Sequence, residues 1–379
     1  MTGPTYPAAR AVSAAVRAHF AGCLAAARKR GDQQIAPEPD EPTIEQITSV
    51  AFWASLRREE GRSPKISLAY LPPEQAGNPL TFGRRLALEP GILTKLAPAV
   101  ERPGIHLGVW RDGGELWLWG TTRTIPPSCL VLEVVEPGLL VVKRRRGPEG
   151  AKYANVAVLQ GDQAKVVDQG GGDLPARLPL IASLLGFDSP GSWTDPVNVV
   201  VQLAISMRAH GHGGILLVVP NGSESWRRSI VHPIPYAVIP PFTELAGLLR
   251  QDPEDERRAE WRDAVHRAVD AIAGLTAVDG ATVISDRYQL LAFGATIGRS
   301  AASTPVERVI VAEPVVDARA AIVEPSQIGG TRHLSAAQFV HDQRDAIALV
   351  ASQDGRFTVF GSPPGEEVVH AYRIETLLL

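Results

Sequence analysis

Residues 212–219 read His212-Gly213-Gly214-Ile215-Leu216-Leu217-Val218-Val219, a glycine turn opening into five apolar residues with no polar member. A strand whose two alternating sets of side chains are both apolar has to be covered on both faces. That points to a sheet with helices on each side rather than one with a wet face. The flanking sequence keeps to this pattern. Upstream, Thr194 or Asp195 offers an N-cap with Pro196 in the first turn, and the helix so begun runs to about His210. Downstream, Asp252-Pro253 opens a helix whose Trp261, Val265, Val269 and Ile272 recur at helical spacing. Strands are expected at Ala281–Ser285, Leu290–Phe293 and Val309–Ala312, and a helix over Ser335–His341. The strands Ile347–Ala351 and Phe357–Phe360 flank the turn Ser352-Gln353-Asp354-Gly355. The expected class is α/β: a mixed β-sheet flanked by helices.

The first half reads differently. An alanine-rich helix is expected from about Pro7 to Arg30, stopped by Gly31. After a loop at 36–42, Thr43-Ile44-Glu45-Gln46 has capping-box spacing and opens a second helix, with Gly61 as its stop. β-prone runs follow at Lys65–Leu71, Ile105–Arg111, Glu115–Trp119, Cys129–Val135, Leu139–Lys143, Asn155–Leu159 and Ala164–Val167, with Asp112-Gly113-Gly114 as a hairpin turn. Trp117 and Trp119 share a strand face and, with Trp110, are expected to serve packing or partner contact. Gly170-Gly171-Gly172 and the segment 188–196 are the candidate boundary. The organisation expected is therefore an N-terminal helical and β-rich region over 1–190, a second domain over 194–361, and a C-terminal tail over 362–379.

Composition excludes several classes. With 379 residues, 45% hydrophobic and 21% charged, the chain is of globular type with room for two cores. Its net charge is −3, and its only marked basic run is Lys143-Arg144-Arg145-Arg146, so duplex nucleic acid is not the expected partner. Cys23 and Cys129 lie far apart, which supports neither a disulfide framework nor a cysteine-rich zinc site. No apolar run is long enough to cross a bilayer and no signal peptide is seen, so no membrane partner and a cytoplasmic location are expected. His210-Gly211-His212-Gly213-Gly214 has the look of an esterase oxyanion turn, but no Gly-x-Ser-x-Gly elbow accompanies it, and no third ligand completes a metal site with the two histidines. P-loop and dinucleotide glycine patterns are also missing from the sequence.

Three segments remain, informative by their order. The first is His212-Gly213-Gly214 with its strand, followed by Ile234-Pro235-Tyr236. The second is Asp279-Gly280-Ala281 with the strand after it. The third is Gly330-Thr331-Arg332-His333, then Ser335-Ala336-Ala337, an apolar strand and Ser352. A carboxylate at a helix-to-strand turn can hold a divalent cation or accept a hydroxyl proton. A hydroxyl, a guanidinium and an imidazole at a helix start favour an anion.

This order resembles the diadenylate cyclase domain over roughly Thr194–Gly361. Ala51-Phe52-Trp53-Ala54-Ser55-Leu56, His212-Gly213-Gly214 and Arg332-His333 with Ser335-Ala336 are similar to the branch called probable sensor domain DACNV. The resemblance implies a nucleotide or cyclic dinucleotide bound by Asp279, Gly280, Ala281, Gly330, Thr331, Arg332, His333 and Ser352. Asp279 would support Mg or Mn and the ribose hydroxyl, and would be the catalytic residue if the domain is active. Thr331, Arg332 and His333 would face the triphosphate, with Ser352 near the base or phosphate end. An effector protein and a homo-oligomer are the further partners it implies. The family's second motif arginine is Leu334 here, and Ser335 stands as a one-residue insertion. A sensor is therefore the first expectation. The alternatives are an active diadenylate cyclase that condenses two ATP molecules, and an interaction protein with a vestigial site.

Overall fold

The computed structural model describes residues 5–32, 34–145, 153–168, 199–251 and 258–379. The proposed boundary at 170–172 and 188–196, the helix starts at Thr194–Pro196 and at Asp252-Pro253, and Arg146 of the basic run lie outside them. The chain divides into two compact units, Met1–Asp168 with Leu379, and Gln169–Leu378. Each is mixed α/β, a mixed sheet flanked by helices.

In the first unit α1 (Pro7–Arg30) ends on Gly31, whose φ of 79° suits the left-handed cap expected of it. α2 (Glu41–Ser55) departs from expectation at both ends. Asp40 is its N-cap, accepting a hydrogen bond from the Thr43 backbone N–H at 2.8 Å, so Thr43 lies inside the first turn rather than at its mouth. Asp caps as well as Thr, and Pro42 is tolerated only because it falls where no helical N–H is needed. The helix stops at Ser55, and Gly61 instead serves the small turn bridged by Glu59 and Arg62. Strands β1 (Ile66–Tyr70), β2 (Leu80–Ala87), β3 (His106–Asp112), β4 (Glu115–Thr122), β5 (Leu130–Glu136), β6 (Leu139–Arg145), β7 (Tyr153–Gln160) and β8 (Gln163–Val166) form one sheet in the order β2-β4-β3-β1-β5-β6-β7-β8. A short helix α3 (Pro90–Leu96) separates β2 from β3.

Val12, Val16 and Phe20 of α1 and Ile44, Ile47 and Ala51 of α2 pack onto Leu68, Leu107, Val109, Leu118, Leu132 and Leu140. Trp119 is buried with Leu71, Ile125, Cys129 and Val131, and its indole N–H donates to the Leu71 carbonyl at 2.8 Å. Beside this core His106 is fully buried, hydrogen-bonded through Nδ1 to Ser67 Oγ (2.7 Å) and through Nε2 to Tyr153 Oη (2.9 Å). Burial pushes its pKa down to about 4, against the pull of Glu133.

The second unit contains α4 (Val199–Ala209), α5 (Glu244–Leu248), α6 (Arg258–Leu275) and α7 (Thr331–Asp342). Its strands are β9 (Gly214–Val219), β10 (Tyr236–Phe242), β11 (Ala281–Ser285), β12 (Leu290–Ala295), β13 (Val309–Ala312), β14 (Ala321–Val323), β15 (Ile347–Ala351), β16 (Phe357–Gly361) and β17 (Val369–Arg373). They lie in the order β10-β12-β11-β9-β15-β16-β17-β13-β14. β17, in the stretch set apart as a tail, pairs with β16 on one side and β13 on the other.

β9 sits between parallel β11 and antiparallel β15. Leu216 and Val218 join the core under α4 and α6 with Leu203, Met207, Val265 and Ile272. Ile215, Leu217 and Val219 join the core under α7 with Ala336, Ala337, Phe339 and Val340. This two-sided burial is why residues 215–219 carry no polar side chain.

Candidate nucleotide site

β9 and β11 run parallel, with Ala281 opposite Ile215, and β15 runs antiparallel to β9, with Ala351 opposite Gly214. The starts of β9 and β11 and the end of β15 therefore lie at one end of the sheet. Strand pairing thus gathers the first two motif segments, about 65 residues apart in sequence, and Ser352 after β15, while the start of α7 joins them through the contact of Arg332 with Gly213.

The entry to β9 is built tightly. His210 accepts from the His212 backbone N–H at Nδ1 (3.1 Å), so its Nε2 carries the proton donated to Thr276 Oγ1 (3.0 Å). Partial burial, then the neighbouring His212, holds the pKa of His210 below its ordinary value. Gly214 faces the Thr276 carbonyl oxygen, which would stand 2.3 Å from a Cβ. The turn after α6 is thereby locked against β9, and Asp279 follows on it, exposed. Gly280 has φ +99°, and a Cβ there would lie 2.6 Å from the Gly294 carbonyl carbon. Ala281 is fully buried at the start of β11.

α7 begins with Gly330 as an N-cap that supplies no side-chain hydrogen bond. The His333 and Leu334 N–H groups donate to the Gly330 carbonyl at 3.0 and 3.3 Å, which leaves those of Thr331 and Arg332 for solvent or an anion. Thr331 is exposed and Arg332 half-buried. One guanidinium nitrogen of Arg332 lies 3.0 Å from the place a Gly213 Cβ would take, beside the Ala351 carbonyl and Gln353. Among the described residues Arg332 makes no hydrogen bond or ion pair. Gln353 donates to the His212 carbonyl at 3.3 Å, tying the β15–β16 turn to the same corner. Ser352 bonds the Asp354 carboxylate. Despite the upward push of partial burial, that bond, the Arg356 backbone N–H and the Arg356 charge hold Asp354 below its ordinary pKa.

The structure thus brings Asp279, Gly280, Gly213, Arg332, the helix start at Gly330-Thr331 and the Ser352–Gly355 turn to one end of the sheet. His333 goes the other way. It is 3% exposed, packs edge-on against Phe360, and leans on Gly329, where a Cβ would stand 2.4 Å from Nδ1. Its Nε2 is buried without a hydrogen-bond partner. Burial first, then Arg373, Arg356 and Arg332, lower its pKa against the opposing pull of Asp354. The sequence held the signal: His333, Ala336, Ala337 and Val340 are the buried i, i+3, i+4, i+7 stripe of α7. Leu334 is 46% exposed and lines a groove of about 680 Å³ with Ile322 and Val323.

Among the described residues no group of three or more His, Cys, Asp or Glu could hold a metal ion. A lone exposed carboxylate such as Asp279 still suits the way Mg is commonly held, by one or two carboxylates completed by substrate phosphates and water. No helix among the described residues is long and apolar enough to cross a membrane.

No curated protein matches the sequence. Among solved structures, a hypothetical membrane spanning protein from Bacillus cereus shares 14% identity over 51% of this chain and 70% of its own, with a TM-score of 0.28, too distant to carry an argument. Residues 33–123, which include Ala51–Leu56 and run from α2 through β4 of the first unit, match the family model of the probable sensor domain DACNV; the Asp279 and Arg332 segments lie outside that match, on the second unit.

Proposed function

We propose that this protein is a sensor whose second unit binds a nucleotide or cyclic dinucleotide at the end of the sheet where β9 and β11 begin. The observation that carries the reading is Arg332: a half-buried cation without a partner among the described residues, set against Gly213 at a helix start that lacks a side-chain cap. A guanidinium beside free helix N–H groups is a phosphate site by charge and by geometry. Asp279 stands in the turn that leads into neighbouring β11, where it would suit a ribose hydroxyl or a Mg or Mn ion. Such an ion would supply charge neutralisation to the phosphates. The match of residues 33–123 to a probable sensor domain favours sensing as the biological role.

The second reading, a working diadenylate cyclase, meets an obstacle at Leu334. Pyrophosphate departure builds charge that a cation must stabilise, and Leu334 offers none where the family has arginine. Removing such a donor costs turnover more than ground-state affinity. The test is incubation of the purified protein with radiolabelled ATP and manganese, followed by separation of products. Intact ATP with saturable binding is the expected outcome. Robust conversion to a cyclic dinucleotide, lost in Asp279→Asn, would replace the sensor with the enzyme.

A further inference from the structure

The edge of the second sheet carries an aromatic pair that neither the cores nor the phosphate end of the site uses. Tyr236 and Phe293 are direct partners across the antiparallel β10–β12 pair, and their rings stack at 4.7 Å with an interplanar angle of 10°. Stacked aromatics normally bury their surface, yet Tyr236 keeps 50% of its own exposed.

The backbone beneath the ring is shaped to receive it. Gly294, next to Phe293, has φ +62°, and a Cβ there would stand 2.8 Å from the Tyr236 ring and 3.4 Å from the Asp279 carbonyl oxygen. Gly280 in turn admits the Gly294 backbone, since a Cβ would fall 2.6 Å from its carbonyl carbon. Contacts therefore run from the Tyr236 ring through Gly294 to the Asp279-Gly280 turn. The strand order β10-β12-β11-β9 places the ring's strand three intervals from β9, where Gly213 abuts Arg332. At ordinary strand spacing that is about 14 Å, with Asp279 in the turn that leads into β11 between them. An open aromatic ring, a carboxylate and then a cation at a helix start reproduce, in order, what a nucleoside polyphosphate presents: base, ribose hydroxyls, phosphates.

We propose that Tyr236, backed by Phe293, is the base platform of this site and makes it select nucleotides over bare polyphosphates. The proposal rests on the nucleotide reading above and adds where the base lies and what holds it. Stacking on one ring is tolerant of base identity, so the platform demands an aromatic base without choosing among bases.

Calorimetric titration with Mg-ATP and with inorganic tripolyphosphate, on the whole chain, tests it. Tyr236→Ala should weaken ATP by about 5- to 150-fold, the usual worth of one stacked base, and leave tripolyphosphate unchanged. Tyr236→Phe should keep ATP affinity, and Arg332→Ala should weaken both ligands. A ring that merely covers the sheet edge would give Tyr236→Ala with unaltered ATP affinity, or with equal losses for both ligands, and either result overturns the platform. Wild-type protein that binds tripolyphosphate as tightly as ATP removes the platform alone. Wild-type protein that binds neither of these nor cyclic di-AMP removes the nucleotide reading and the platform together.

Discussion

Gly280→Ala and Gly213→Ala place the same methyl group at two positive-φ glycines of one site, and they should fail in different ways. At Gly280, φ is +99° and the new Cβ would lie 2.6 Å and 2.8 Å from the carbonyl carbon and oxygen of Gly294. Both are backbone atoms of a paired strand and cannot step aside. A left-handed conformation costs an L-residue about 1–2 kcal/mol, and overpacking a fixed neighbour adds about 1–3 kcal/mol. The second unit should lose about 2–5 kcal/mol, a fall of roughly 5–15 °C in its melting transition for a unit of this size. At Gly213, φ is +71° and the nearest atom, at 3.0 Å, is the far end of the Arg332 side chain, with the Ala351 carbonyl oxygen at 3.2 Å. The backbone cost of about 1–2 kcal/mol remains, but the guanidinium can swing away. Gly213→Ala should therefore melt only a few degrees below wild type while losing affinity for tripolyphosphate. Scanning calorimetry reads the first quantity and titration the second. A Gly280→Ala variant as stable as Gly213→Ala, or a Gly213→Ala variant that binds tripolyphosphate like wild type, would refute the argument.

Asp279→Asn removes an exposed carboxylate without a partner among the described residues, so the melting temperature should hold. Any enhancement of nucleotide binding by Mg or Mn should disappear, as titration with and without the metal would register. Leu217→Ala empties a fully buried position on β9 and should cost about 2–5 kcal/mol in urea denaturation, whereas a loss under 1 kcal/mol would contradict the two-sided core. Acid should weaken the first unit through His106, whose pKa is pushed down to about 4 by burial. Between pH 6.5 and 4 the unfolded chain binds a proton that the folded one refuses, so stability is whole above this window and lost as pH falls through it. The loss from pH 7 to 5 is about 2 kcal/mol from this group. His106→Gln should flatten the pH dependence by that amount, and an unchanged slope would exclude His106 as its source.

What could be read in the sequence was whatever repeats along a single element. Ile215–Val219 announced its two buried faces through composition, and Gly31 announced a helix end through its freedom at positive φ. The starts of β9 and β11 lie together because parallel neighbours in a sheet begin at the same end, whereas the start of α7 reaches Gly213 by a tertiary contact that no local pattern encodes. Elements whose character comes from their place in the sheet were missed. β2 holds Gly83, Arg84 and Arg85 because it is an exposed edge, and β10 holds Pro240 and Pro241 for the same reason. β17 hid behind His370 and Arg373, although Val369, Ala371 and Tyr372 are buried. The contact between Tyr236 and Gly294 depends on the β10–β12 register, which shifts between Ala237 and Phe242, and no local pattern encodes it. Asp40 took the cap from Thr43 because both residues can cap and tertiary packing decided between them. The burial of His333 was legible in the α7 stripe, yet its place in a charged motif pointed outward.

The central claim is that Arg332 and the start of α7 bind the phosphates of a nucleotide, and equilibrium titration of Mg-ATP into wild type and Arg332→Ala tests it most directly. A charge-assisted hydrogen bond is worth about 1.5–3 kcal/mol, so saturable binding should weaken by roughly 10- to 150-fold in the variant. Its melting temperature should match wild type, because the guanidinium makes no hydrogen bond or ion pair among the described residues. Binding of equal strength in the two proteins would contradict the account, as would a wild-type protein that takes up no ATP at all.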